Sequence, residues 1–405
     1  YLEVNDNGKL EITTDGYSLP VLHGRKGELR VPSGITISIT TIHIIAGFTL
    51  ISSGEVKCKS LILEGGVIAG DGSVSCDELL WKSGAVNIYN STANTGALKI
   101  NKQMLVQTDG SKTMTNGKII ILSEAQAVFE ESSTISMDKE SKFLNDGTMA
   151  ISHSSTLSSD KTSHIINTGK INVKTGNVKS VSEISASLVN KGDIEILQGR
   201  LQLSSPVDSQ SEYHGNITVK AGCDLTFTGG THQFMEDSRL LSEGSLTLPY
   251  QEVSNSRFVN LKGNIDVQSI SVYHGALEIQ EAPVRMIESV IVTGEGSVSF
   301  SKHTTVKTLT LTGGQVAINS KVGISKLNLR GGVVTTKRRL NSLVVNNLVW
   351  IGGNFECSVS QILQISTQEE MTIAGKTEKK MVGPVVLEMN KKILANAISP
   401  IKISG

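Results

Sequence analysis

Side chains able to do acid–base, nucleophilic or metal chemistry are thinly spread along this chain. Two histidines precede glycines, His214-Gly215 and His274-Gly275, and either could act as a base if carboxylates stood beside it. Cleaving a glycosidic bond takes clustered carboxyl groups, with a base or a metal, held together in space. There is no Asp-Asp pair, and no column of acids is expected to recur at a spacing of 18–23 residues beside an arginine or lysine. Nor is there a Gly-x-Ser-x-Gly elbow, a phosphate-binding glycine loop, a His-Glu-x-x-His or a Cys-x-x-Cys. Both histidines are therefore read as turn or surface residues, and the chain as a protein without catalytic or metal sites of its own.

Other candidate sites are structural or covalent. Cys58 and Cys76 are 18 residues apart, one repeat of the pattern described next, and so could lie on neighbouring strands within disulfide reach. They are the disulfide candidates. Cys223 and Cys357 are expected to be buried or bonded to another chain. Two acceptor sequences for N-glycosylation occur, Asn90-Ser91-Thr92 and Asn216-Ile217-Thr218. Asn90 falls in a polar loop, and Asn216 on the face opposite an inward Ile217.

The elements that would position these residues follow from internal repetition. Ile165-Ile166-Asn167-Thr168-Gly169-Lys170-Ile171-Asn172-Val173 returns as Leu188-Val189-Asn190-Lys191-Gly192-Asp193-Ile194-Glu195-Ile196. Gly169, Gly192 and Gly215 are spaced 23 and 23. A second vocabulary occurs toward both ends: Gly70-Asp71-Gly72-Ser73-Val74-Ser75 and Gly294-Glu295-Gly296-Ser297-Val298-Ser299, with Leu309-Thr310-Leu311-Thr312-Gly313-Gly314 and Leu327-Asn328-Leu329-Arg330-Gly331-Gly332. Short runs alternating apolar and polar, repeated about every 20 residues, describe a unit that buries its apolar face only by stacking on its neighbours. The expected fold is all-β, a right-handed parallel β-helix (β-solenoid) with coils of about 18–23 residues. On the order of 19 coils stacked roughly 4.8 Å apart would make a rod of about 90 Å. Asn145, Asn167 and Asn190, spaced 22 and 23, are expected to stack their amides at one corner.

Composition agrees with this reading. Aromatics are only 4% of the chain, fitting a narrow core of stacked aliphatic residues. Lys plus Arg equals Asp plus Glu, 38 each, so no overall field draws nucleic acid or an anionic membrane. Locally the balance tilts: residues 124–146 hold six acids against two bases, and residues 371–405 six lysines against two glutamates. The longest apolar run, residues 42–51, is ten long and contains His43 and Gly47, too short for a membrane span. The sequence divides into first coils or an N-terminal cap over 1–34, a continuous solenoid over 35–370, and less regular coils over 371–405. A start on Tyr1 suggests a processed, secreted product. The final Ile401-Lys402-Ile403 reads as a bare strand, which makes Ile401 and Ile403 the candidate assembly edge.

The Leu-x-Leu-x-Gly-Gly, Gly-x-Gly-x-Val, Leu79-Leu80-Trp81 and Asn-x-Gly-x-Ile-x-Ile motifs together resemble the repeats of large secreted adhesins of the filamentous-haemagglutinin type. They also resemble the core proteins of marine sponge aggregation factors. That resemblance implies a glycosylated subunit that joins a ring or fibre, meets other extracellular adhesion subunits, carries adhesive glycans and works with calcium. No calcium loop of matching pattern occurs in the sequence. The expected function is a secreted structural or adhesion subunit that self-assembles to support cell–cell or cell–matrix adhesion. The alternative is a glycan-binding or polysaccharide-degrading β-helix.

Overall fold

Alternating short runs such as Lys142–Asn145 and Thr148–Ile151 form strands because each places every second side chain inward, with burial repeating half-buried then buried. The architecture comes from a computed structural model. It describes all residues except 6, 91, 92, 94, 109, 153, 177–179, 251–256, 337–339, 359, 391, 398–400 and 405, and for 340, 392, 393, 395–397 and 401–404 the backbone alone. Among the described residues there is no helix, and every pairing between strands with a described register is parallel. The chain is a parallel β-solenoid, and it divides into two units, Tyr1–Ser211 and Glu212–Gly405.

In the first unit a representative coil is built from Thr134–Asp138, Lys142–Asn145 and Thr148–Ile151. The next coil, Thr156–Ser159, His164–Asn167 and Lys170–Lys174, pairs with it residue for residue: Ile135 with Leu157, Phe143 with Ile165, Met149 with Ile171. These inward side chains are wholly buried, so each covers the one a coil away. Burying an aliphatic side chain of this size is worth about 1.5–3 kcal/mol. Coil length ranges more widely than 18–23 residues. Val56 pairs with Val74, but Val86 pairs with Met114 and Thr156 with Glu183, because the loop around Asn90 and the segment after Lys174 are inserted at corners, where extra residues leave the ladder intact.

The turn Asn-x-Gly repeats because two interactions require it. Asn145 Nδ2 donates to Asn167 Oδ1 at 2.7 Å, and Asn167 Nδ2 donates to Asn190 Oδ1 at 2.6 Å; all three residues are fully buried. Asn190 Nδ2 also donates to the Gly192 carbonyl at 3.0 Å, closing its own turn. The ladder begins at Asn145 since the preceding coil presents Ile121 there, and the Asn145 Oδ1 has no partner. Two residues after each asparagine the backbones nearly touch: a Cβ on Gly169 would lie 2.1 Å from the Gly147 carbonyl oxygen, and one on Gly192 2.0 Å from that of Gly169. No other residue fits such a column.

Longer strands occur in both units, Glu55–Gly70 and Ser73–Ile88 in the first and Asn264–Ile279, Ile287–Phe300 and Leu340–Trp350 in the second. Val290, Leu309, Leu327, Leu348 and Met371 stack as one core column in successive register. The Gly-Gly turns stack likewise, and Gly314, Gly332 and Gly353 all adopt positive φ between 68° and 82°. Ile401–Ser404 is a strand paired with Lys379–Val382; the side chains of Ile401 and Ile403 lie outside the described residues.

Replacing Asn167 by alanine removes the middle amide and leaves the buried Asn190 oxygen without its donor. Asn167→Ala is expected to lower stability by about 2–3 kcal/mol, seen as a fall in the urea midpoint; an unchanged midpoint would contradict the ladder.

Candidate functional site

One concavity lies in the second unit. After the strand Asn264–Ile279 the next strand begins only at Ile287, and Pro283, which has no N–H to give a ladder, falls in the segment between them. Within that segment the Val284 N–H donates to the Ile265 carbonyl at 2.8 Å. A cavity of about 360 Å³ opens there, lined by Ser242, Glu243, Asp266, Val267, Gln268, Arg285, Met286 and Glu288.

Within it Glu243, Asp266 and Glu288, 23 and 22 residues apart in the sequence, come from successive coils, with Asp266 offset by two residues because its register partner is Leu241. Arg285 grips Asp266 with two nitrogens, Nε at 2.8 Å from both carboxylate oxygens and a terminal nitrogen at 2.7 Å from Oδ2. Lys307, on the following coil, holds Glu288 at 2.7 Å. These contacts correct the expectation that acids do not recur at the coil spacing beside a base. The cluster leaves no mark among adjacent acids or repeated motifs, because it combines unlike residues from three otherwise dissimilar coils. The signal that finds it is an opposite-charge pair at a 19-residue step, Asp266 with Arg285 and Glu288 with Lys307.

In the first unit a shallower groove of about 520 Å³ includes Ser38, Lys57, Cys58, Lys59, Ser75, Asp77 and Asn101. Cys58 and Cys76 are register partners on adjacent strands, half-buried and buried respectively, and both are free thiols. The hydrogen bond with Cys58, with burial second, holds the Cys76 thiol well above its usual range. Cys76 therefore stays protonated at neutral pH and is no nucleophile. Beside the pair, hydrogen bonds from Lys102, at 2.6 Å, and Asn101 hold the Asp77 carboxyl below the usual carboxylate range. Cys223 and Cys357 are buried.

Other candidates are scattered. Asn90 is half-buried and bridges its backbone to Thr95, with its Oδ1 accepting from the Ala93 N–H; Ser91 and Thr92 of that acceptor sequence lie outside the described residues. Asn216 is exposed at the start of the strand Asn216–Val219, opposite the buried Ile217. His214 and His274 are also apart: His214 Nδ1 is 3.2 Å from Asp237, and His274 Nδ1 3.5 Å from Glu295. Among the described residues no group of three or more His, Cys, Asp or Glu is arranged to hold a metal ion, and no helix is long and apolar enough to cross a membrane.

A buried polar pair in the second unit was also missed by sequence reasoning. His232 is completely buried against Phe227 and Tyr213. Its Nε2–H donates to the Gly229 carbonyl at 2.9 Å, and its Nδ1 accepts from the Tyr213 hydroxyl at 2.9 Å. Burial pushes its pKa down to about 4, so the ring is neutral.

Comparison of the chain with family models, with curated proteins and with solved structures gave no match.

The His232 geometry sets a pH dependence. The unfolded histidine binds a proton below about pH 6.5, while the folded one does so only below about 4. Its contribution is therefore fully present above about pH 6.5 and is lost as pH falls from there to about 4, by on the order of 3 kcal/mol. Denaturant unfolding at pH 7 and pH 4.5 is expected to show this loss, and His232→Phe to diminish it. An equal pH dependence in that variant would contradict the assignment.

Proposed function

We propose that this chain is a secreted structural or adhesive subunit that associates with copies of itself, and with other adhesion subunits, in a larger extracellular assembly. The observation that carries this reading is the use to which the repeated polar residues are put. In a solenoid whose coils act repeatedly on a ligand, the repeated polar side chains point outward. In this one the residue that recurs most regularly, the asparagine of the Asn-x-Gly turn, is buried and bonds coil to coil. Repetition here makes a stiff body, and a stiff body that presents surfaces is what a scaffold needs.

The outward residues between neighbouring coils support the same reading. Ser136 and Ser158 share a hydrogen bond at 3.3 Å, and Lys170 pairs with Glu195 at 2.9 Å. Each such exposed contact contributes about 0–1 kcal/mol. Glu124 and Asp146 are exposed at the same corner of successive coils of the first unit, with Glu131 and Glu140 exposed at two other corners, points of negative charge that a basic group on another molecule would meet. Of the basic stretch, Lys376 is exposed, but Lys379 is fully buried, capping the carbonyls of Gly375 and Thr377 at 3.4 and 3.0 Å.

Light scattering on a sizing column tests this directly. The expected native mass is several times the 43.2 kDa of the polypeptide, beyond what glycans add, falling as salt is raised to about 0.5 M because contacts between exposed charges are screened. A monomer at all salt concentrations would refute the proposal.

A further inference from the structure

We propose that His23 and His43 form a two-histidine site for a divalent transition-metal ion, zinc or copper, on the outer face of the first coils. The first ground is their placement. They are register partners on the parallel strands Tyr17–Gly24 and Thr36–Ile45. Ile42 and Ile44 on either side of His43 are wholly buried, so the histidine column faces outward, and the His43 side chain is 21% exposed. Strands about 4.8 Å apart bring the two ring centroids to 5.2 Å, edge to face. Two nitrogens on one tetrahedral zinc ion lie roughly 3.3 Å apart, given bonds of about 2.0–2.1 Å. Rotation about the broad terminal torsion of histidine reaches that separation without moving the backbone.

The second ground is how His43 is held. Its Nε2 lies 3.1 Å from Glu64 Oε2, and Lys82 steadies that carboxylate from 3.5 Å. An ionised carboxylate only accepts hydrogen bonds, so Nε2 carries the proton and the neutral ring keeps its lone pair on Nδ1. An imidazole oriented through one nitrogen by a carboxylate, with the other nitrogen free to donate, is the arrangement that metal-binding histidines use. At the other end of the pair Glu3 is the register partner of His23; Asn5 donates to it at 2.8 Å and Arg25 lies 3.8 Å away. Two carboxylates thus bracket the imidazoles along the stack and favour a cation, with Lys82 and Arg25 offsetting part of their charge. The Tyr1 ring, 69% exposed, packs on His23 at 5.4 Å and is the group an incoming ion would displace. With two protein ligands the remaining coordination positions belong to water, so the site requires no third residue. Imidazole nitrogens suit zinc, copper and nickel, whereas calcium and magnesium take oxygen ligands.

The test is calorimetric titration of the untagged full chain at neutral pH with zinc chloride and copper(II) chloride, and with calcium and magnesium chlorides as controls. A single saturable equivalent of zinc is expected, with copper(II) binding more tightly in the order that nitrogen ligands impose, and with neither control displacing it. Zinc is also expected to raise the melting temperature, because it binds the folded chain. His23→Ala and His43→Ala are each expected to abolish both effects, and His214→Ala, at a histidine remote in register, to leave them unchanged. His43→Gln keeps a hydrogen-bond donor for Glu64 and is likewise expected to lose the zinc equivalent, which separates loss of the ligand from loss of the fold. Glu64→Ala is expected to weaken zinc binding about tenfold or more. No zinc binding, zinc bound equally by both histidine variants, or displacement by calcium would each overturn the proposal. The site is independent of assembly: a monomer that binds zinc would refute the scaffold reading and leave this one standing.

Discussion

Each coil lies on the next in parallel and in register, and that single constraint governs the rest of the structure. Strands about 4.8 Å apart put the side chain at one position directly against its counterpart one coil away, so a residue is chosen mainly for how it sits on its own neighbour. Apolar side chains satisfy this by stacking, as Phe143, Ile165 and Leu188 do. At the tightest corner the requirement excludes every side chain, which is why Gly147, Gly169 and Gly192 form a column.

Polar groups face a stricter version of the same rule. A buried column must be self-complementary, able to donate upward and accept downward, and the carboxamide does both. Stacked carboxylates or ammonium groups repel, and several charged side chains meet an opposite charge from the neighbouring coil, as Lys170 does with Glu195 and Asp266 with Arg285. Where the strand ladder is interrupted, between Ile279 and Ile287, a cavity lies against the coil.

Most of the architecture was legible in the sequence because stacking imprints a period on it. The Asn-x-Gly-x-Ile-x-Ile motif announced the strands, the turn and the amide ladder, and the 18-residue spacing of Cys58 and Cys76 placed them on adjoining strands. What escaped was the chemistry between unlike residues. Tyr213 and His232 meet across a coil, and Glu243, Asp266 and Glu288 gather at one notch, yet none belongs to a repeated motif. Lys379 counted as surface charge in the sequence but is buried, because its ammonium group answers turn carbonyls that no pattern marks. The loop around Asn90 was legible as a polar break in the alternation, but the lengthening of the coils to 28 and 27 residues, from Val86 to Met114 and from Thr156 to Glu183, was not, because the register of the flanking strands is kept.

Register can be measured directly by cross-linking. Ser136 and Ser158 are register partners with hydroxyls 3.3 Å apart, whereas Ser136 and Thr156 are offset by two residues on the same face, about 8 Å apart by strand geometry. The chain carrying Ser136→Cys with Ser158→Cys should form a disulfide under mild oxidation, located by peptide mapping, and the chain carrying Ser136→Cys with Thr156→Cys should not. Bonding of the offset pair in preference to the register pair would contradict the in-register stacking on which the whole account rests.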